Sequence, residues 1–143
     1  MSDLAKPGFN LEAASLEGRP FALANIQVPA DEWPFALTAH PNLLLEGDVA
    51  ATAIVIAALA PHLGQPIDRW EGKPPACRPA TLLVREVAAM DAADQQLLMQ
   101  WLDSPGERVR VVTTSSEPLF PLVLRGAFME DLYYRINVLR FEV

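Results

Sequence analysis

Residues 125–143 read RGAFMEDLYYRINVLRFEV, three linked pieces whose order decides the fold. Gly126 ends a preceding apolar helix, since a glycine takes the left-handed stop conformation at no steric cost. Glu130 and Asp131 put negative charge in the first turn of a new helix, where the helix dipole favours it. Phe128, Leu132 and Ile136 recur every four residues and make one buried stripe, with Tyr133 and Tyr134 beside it and Arg135 on a different face. Residues 138–143 then alternate, with Leu139, Phe141 and Val143 on one side, which is the period of a strand. A helix carrying an arginine therefore feeds directly into a strand.

Gly126, Phe128, Asp131, Leu132, Tyr133, Tyr134, Arg135, Asn137 and Val138 fall without a gap on G-x-F-R-x-D-L-Y-Y-R-L-N-V. In this the chain resembles the sigma-54-dependent transcriptional activators, the enhancer-binding branch of the AAA+ ATPases, with fidelity decreasing upstream to about residue 42. The resemblance implies a three-layer α/β, P-loop NTPase-like domain with a mostly parallel five-stranded sheet. Strands are expected at 42–46, 66–70, 80–86, 108–114 and 138–143, in the order 5-1-4-3-2, with helices on both faces. An N-terminal extension, 1–40, is expected to pack on a degenerate AAA+ core, 41–143, truncated after the fifth strand and without the family's lid helices, sensor arginine or helix-turn-helix.

Composition sets the outer bounds. Of the 143 residues 51% are hydrophobic and 20% charged, as in a folded domain and unlike a disordered one. The longest apolar run, 49–60, is well short of the roughly 20 residues that span a bilayer, and no basic start precedes an apolar signal core. A cytoplasmic protein is expected. A net charge of −7, with the basic residues scattered, argues against direct nucleic-acid binding, which depends on clustered Lys and Arg. Cys77 is alone, so no internal disulfide can form, and its place in KPPACRP reads as an incidental exposed cysteine and not a reactive thiol.

Upstream, residues 1–8 have no apolar period, and 10–17 could be a short helix or an edge strand, ended by Gly18, Arg19 and Pro20. Residues 21–28 alternate with a slip at Ala24 and Asn25, the pattern of a bulged strand. Asp31 can cap a short helix over 32–39, with Pro34 tolerated in the first turn.

Residues 42–46 form a short apolar run ending in Gly47, and 49–60 are alanine-rich and helical, which together make the strand, glycine turn and helix of a P-loop unit. A working G-x-x-x-x-G-K-[ST] loop cradles phosphates with bare backbone amides, reaches the outer phosphates with lysine and ligates magnesium with a hydroxyl. Here Gly47 takes the first position, but Thr52 stands for the second glycine, Ala53 for the lysine and Ile54 for the hydroxyl. Asp48 adds negative charge where a phosphate would sit. The unit is read as vestigial and kept for packing.

Residues 80–87 are a continuous apolar run, as in a strand covered on both faces. By resemblance its end aligns with the Walker B motif, where Arg85 replaces the magnesium-associated aspartate and Glu86 retains the water-polarising acid. A guanidinium at that place disfavours Mg²⁺. Asp91 caps a helix through Asp103 whose apolar face is Ala93, Leu97, Leu98, Trp101 and Leu102. The family's phosphate-sensing asparagine corresponds to Ser116. The hydroxyls of 113–116 read as strand-end packing, because neither His40 nor His62 is spaced to serve one as a base, and both histidines read as structural and not as metal ligands. Only 71–79 lie where the family carries its sigma-contacting loop with a G-A-F-T-G-A motif, which is too short, so that loop is inferred to be deleted. Gly126, Ala127 and Phe128 match half of the motif at the wrong end of the fold.

The leading expectation is a non-catalytic, pseudo-ATPase module of sigma-54 activator type, acting in transcriptional or two-component, response regulator-like regulation through protein contacts. No cofactor or metal is expected, and Glu86, Ser116, Gly47, Thr52, Ala53 and Ile54 are vestiges. Two alternatives stand beside it: a residual ATP- and Mg-binding ATPase, for which Glu86 and Arg135 speak, and an adaptor that reuses the fold. Partners are expected to be proteins, another AAA+ subunit or a second copy, and neither nucleic acid nor membrane. The resemblance makes Arg135 the second of two arginines that reach a neighbouring subunit's nucleotide, the first position being Met129, and such a finger acts in trans. Otherwise Arg135 pairs on the surface with Glu130 or Asp131.

Overall fold

The computed structural model describes residues 32–143, so the expectations for 1–31 lie outside the described residues. Five parallel strands, β1 (Leu43–Glu46), β2 (Ile67–Arg69), β3 (Thr81–Val84), β4 (Arg110–Ser115) and β5 (Leu139–Glu142), form one sheet in the order β2-β3-β4-β1-β5. This is the order implied by the resemblance. The helices are α1 (Glu32–Thr38), α2 (Val49–Leu59), α3 (Ala92–Asp103), α4 (Phe120–Leu124) and α5 (Glu130–Ile136), with 3₁₀ turns at Ala60–His62 and Val87–Ala89.

β1, β3 and β4 are buried at every position because each has a strand on both sides and helices above and below. The period of two divides the core. Leu43 and Leu45 pack with Ala36 of α1 and Val55 and Leu59 of α2, whereas Leu44 faces Leu98, Leu122 and Leu132 of α3, α4 and α5. Three layers result, α1 and α2 on one face and α3 to α5 on the other. β5 lies at the edge and keeps Leu139 and Phe141 inside while Arg140 and Glu142 face outward.

The decisive stretch folds as read. Phe128, Leu132 and Ile136 are 2%, 0% and 0% exposed, and Gly126 turns the chain at φ +78° before α5. Asp91 caps α3, its carboxylate accepting from Asp94 N at 2.8 Å. The face of α3 differs from the expected one: Ala93 is exposed and Gln95 is buried in its stead. Gln95 donates from Nε2 to the carbonyls of Met90 (2.9 Å) and Ala127 (3.1 Å) and accepts from Met129 N at 2.8 Å. A fully satisfied amide can sit in a core, and this one fixes the turn that launches α5.

Asn42 stands at the entrance of β1 and is 7% exposed. Its Oδ1 accepts from Val111 N (2.9 Å), its Nδ2 donates to Arg135 O (2.9 Å), and its carbonyl accepts from Leu139 N (3.1 Å). At the far end of β1, Gly47 donates to Ser115 O (2.9 Å), and a Cβ on it would overlap the Val143 carbonyl.

Two stability measurements follow from these contacts. Asn42→Ala orphans a buried amide and a carbonyl at once, and the urea midpoint should fall by the equivalent of about 2–4 kcal/mol; an unchanged midpoint would show that the clasp is dispensable. Gly47→Ala should cost about 1–3 kcal/mol by overpacking against the end of β5, and a variant as stable as the parent would contradict that reading.

Candidate functional site

In a P-loop fold the ligand end of the sheet is the carboxyl end of the strands, and here that end is built from the β1–α2 connection, the end of β3 and the end of β4. The connection has two residues. β1 ends at Glu46 and α2 begins at Val49, so the positions that a phosphate loop would occupy lie within the first turns of the helix. The strand, glycine turn and helix read from the sequence are present, and the connection between strand and helix is the two residues Gly47 and Asp48. Asp48 takes the N-cap position in extended conformation (φ −66°, ψ 159°) and accepts from Ala51 N at 3.0 Å. The anion that a helix N-terminus attracts is already supplied by the chain itself.

Thr52 is buried and its hydroxyl donates back to Val49 O at 3.1 Å, inside the helix. Ala53 is exposed, and Ile54 is half-buried against the core. None of the three offers a group to a phosphate. Facing Thr52 and Ala53 across a cleft of about 140 Å³ stand Arg85, Glu86 and Thr114. This is small beside the ~300–1,000 Å³ of sites that enclose a drug-sized ligand.

The structure brings together Glu86 and Ser116, the two positions that the sequence reading took as vestigial. Glu86 Oε1 accepts from the Ser116 hydroxyl (2.9 Å) and from Ser116 N (3.3 Å), and Glu86 N donates to Thr114 Oγ1 at 3.0 Å. Glu86 adopts φ 51°, a left-handed conformation unusual for a residue other than glycine, asparagine or aspartate. These three bonds hold it there, bracing the end of β3 against the end of β4. Arg85 is exposed beside it. The neighbouring hydroxyls are used in packing: Thr113 donates to Leu43 O (3.2 Å) and Ser115 to Glu117 O. Glu46, 6% exposed, accepts from Leu119 N (3.0 Å) and Arg140 Nη1 (2.7 Å), and Arg140 also reaches Glu142 at 2.8 Å, so both carboxylates hold its pKa up. Sequence reasoning missed this triad, which closes the ligand end over β1 and β5.

Arg135 pairs with neither Glu130 nor Asp131. Its Nη1 meets Asp103 Oδ1 at 2.6 Å and its Nη2 donates to Leu102 O at 3.1 Å, so the guanidinium lies on the C-terminus of α3, where a cation is favoured. Helical spacing could not reveal a partner 32 positions away. Arg110 is 4% exposed and bonds the carbonyls of Pro41 (2.8 Å) and Ala36 (2.7 Å). Burial, with Arg108 nearby, lowers its pKa to about 10. Residues 70–80, between β2 and β3, contain no helix or strand. Among the described residues no cluster of His, Cys, Asp and Glu could hold a metal, and no helix is long and apolar enough to cross a membrane. Cys77 is exposed.

Two crystal structures of NtrX from Brucella abortus share this fold. The one in complex with ATP superimposes with a TM-score of 0.57 and the one in complex with ADP with 0.61, each at 18% identity over 76% of this chain and about a third of theirs. The HTH-type transcriptional regulatory protein TyrR of Enterobacter agglomerans is 35% identical over an alignment of 74 residues that covers 44% of this chain and 14% of that protein. The chain thus spans a small part of the length of these relatives. Residues 51–143, from the body of α2 to the end of β5, match the family described as the sigma-54 interaction domain, and the chain belongs to that family.

Proposed function

We propose that this chain is a transcription-regulatory module of sigma-54 activator type that does not hydrolyse ATP and acts through protein contacts in the cytoplasm. The observation that carries this reading is the two-residue β1–α2 connection, in which the Asp48 carboxylate holds the Ala51 amide. Phosphate binding would need that carboxylate to leave and the first turn of α2 to unwind, with neither a lysine nor a second glycine to compensate. Arg85 adds a fixed cation where magnesium would bind, so the metal gains no carboxylate there and meets a like charge. TyrR, a transcriptional regulator by name, supports the regulatory half of the reading.

Structural partners of Glu86 and Arg135, the two residues that speak for a residual ATPase, support the same reading. Glu86 is engaged with Ser116, and Arg135 with Asp103 and Leu102 in its own chain, so either would have to break these bonds to act on a nucleotide. Contact with sigma-54 through the family's helix-borne loop is not part of the proposal, because residues 70–80 carry no helix to bear one. Another AAA+ subunit or a second copy of this chain is the proposed kind of partner.

Titration calorimetry with Mg-ATP should show no saturable heat up to about 1 mM, the regime of roughly −4 kcal/mol; a magnesium-dependent micromolar site would refute the proposal. In a transcription assay with sigma-54 holoenzyme and ATP, this chain alone should give no open complex above the activator-free background. Activator-independent opening by the purified chain would remove the claim that it lacks remodelling activity.

A further inference from the structure

At the opposite end of the sheet, where the strands begin, a polar cavity of about 210 Å³ is lined by Asn42, Arg78, Ser104, Arg108 and Arg135. Its basic character stands out in a chain of net charge −7. Three guanidinium groups converge there, and Asp103 is their single ion-pair partner among the described residues. Behind them lies Arg110, bonded to backbone carbonyls and to no carboxylate among the described residues. The C-terminus of α3 contributes partial negative charge at this end, and the bond from Arg135 to Leu102 O already answers it in part. A surplus of positive charge remains.

The arginines are also held in place. Arg78 is fixed by Glu107 O (2.7 Å) and Ser104 Oγ (3.0 Å), and its guanidinium lies 5.0 Å from the centre of the Trp101 ring. Gly106, at φ +137°, lets the loop pass against its stem, since a Cβ there would stand 2.8 Å from Arg78 Cδ. Arg108 is anchored through Nη2 alone, to His40 O at 3.1 Å and Asn42 Oδ1 at 3.5 Å. Arg78 Nη2 and the Nε and Nη1 of Arg108 have no acceptor among the described residues. Ser104 and Asn42 donate to Trp101 O and Arg135 O, so the open donors in the cavity are guanidinium N–H groups. Rigid, planar donors around a small volume suit an oxyanion, and the charge surplus favours a dianion over a monoanion.

We propose that this cavity binds a phosphate-class dianion, either inorganic phosphate or a small phosphomonoester, gripped by Arg78 and Arg108. The proposal does not depend on the pseudo-ATPase reading, because the cavity and the degenerate P-loop lie at opposite ends of the strands.

The full chain, labelled with ¹⁵N, should be titrated with sodium phosphate, glycerol 3-phosphate and sodium chloride at constant ionic strength. Saturable amide shifts centred on residues 78 and 104–108 are expected with the two phosphates and not with chloride, and Arg108→Gln should weaken binding about tenfold or more. Arg108 is exposed, so its replacement should leave the fold intact, and the spectrum of the free variant checks this. Arg78→Gln gives an independent second variant. Tighter binding of the ester identifies a phosphomonoester as the ligand, and equal affinity identifies free phosphate. The proposal is overturned if shifts fail to saturate by about 10 mM, if chloride reproduces them, if both variants bind like the parent, or if the shifts centre on residues 47–53.

Discussion

One side chain, Asn42, sets the frame of this molecule. From the entrance of β1 it holds the amide of Val111 on one side and the carbonyl of Arg135 on the other, while its own carbonyl receives Leu139 N. Hydrogen bonds buried from water are costly to leave unmade, so β4, the end of α5 and the start of β5 are brought to one point in one register. The placement of α5 against the sheet fixes where Arg135 emerges, and so the packing of its guanidinium on the C-terminus of α3. The cavity at the strand entrances is what remains between these elements.

Charged side chains gather at both ends of the sheet, and they are partnered differently at each. In α/β folds the carboxyl end of the strands meets ligands, because helix N-termini point there. In this chain Asp48 occupies that field, Glu86 is spent on Ser116, and Glu46 is neutralised by Arg140. The entrance end, where helix C-termini should repel anions, has instead gathered Arg78, Arg108, Arg110 and Arg135. The fold is shared with the family, while the side chains at its ends are this chain's own, and function resides in such sites and not in the architecture.

Most of the fold was legible before any coordinates. The four-residue stripe of Phe128, Leu132 and Ile136 and the apolar runs of β1, β3 and β4 are local patterns with local causes, and the strand order came with the family resemblance. What stayed hidden depended on partners distant in sequence or on where a helix begins. Gln95 reads as solvent-facing until Met90, Ala127 and Met129 are known to surround it, and Arg135 reads as an i, i+4 partner of Asp131 until Asp103 appears beside it. The shortened connection did have a signal, since an aspartate directly before an apolar helix is a cap. Aligning Asp48 to a phosphate loop concealed it, because an alignment counts positions while a helix starts where its first amides find acceptors.

β1 lies inside the sheet, yet one of its neighbours is the last strand, and the ion pair from Glu46 to Arg140 bridges 94 positions. A ribosome delivers this chain from its beginning, so Leu43–Glu46 leaves the exit tunnel long before β5 exists to cover its open side. Helices can form as they emerge, whereas β1 must wait with both backbone edges bare until β4, and with one bare until β5. Closing so wide a loop costs entropy before any pairing is gained, which makes the seam between β1 and β5 a late event in folding. During synthesis, that bare edge is where the nascent chain is most exposed to strangers and most dependent on being shielded.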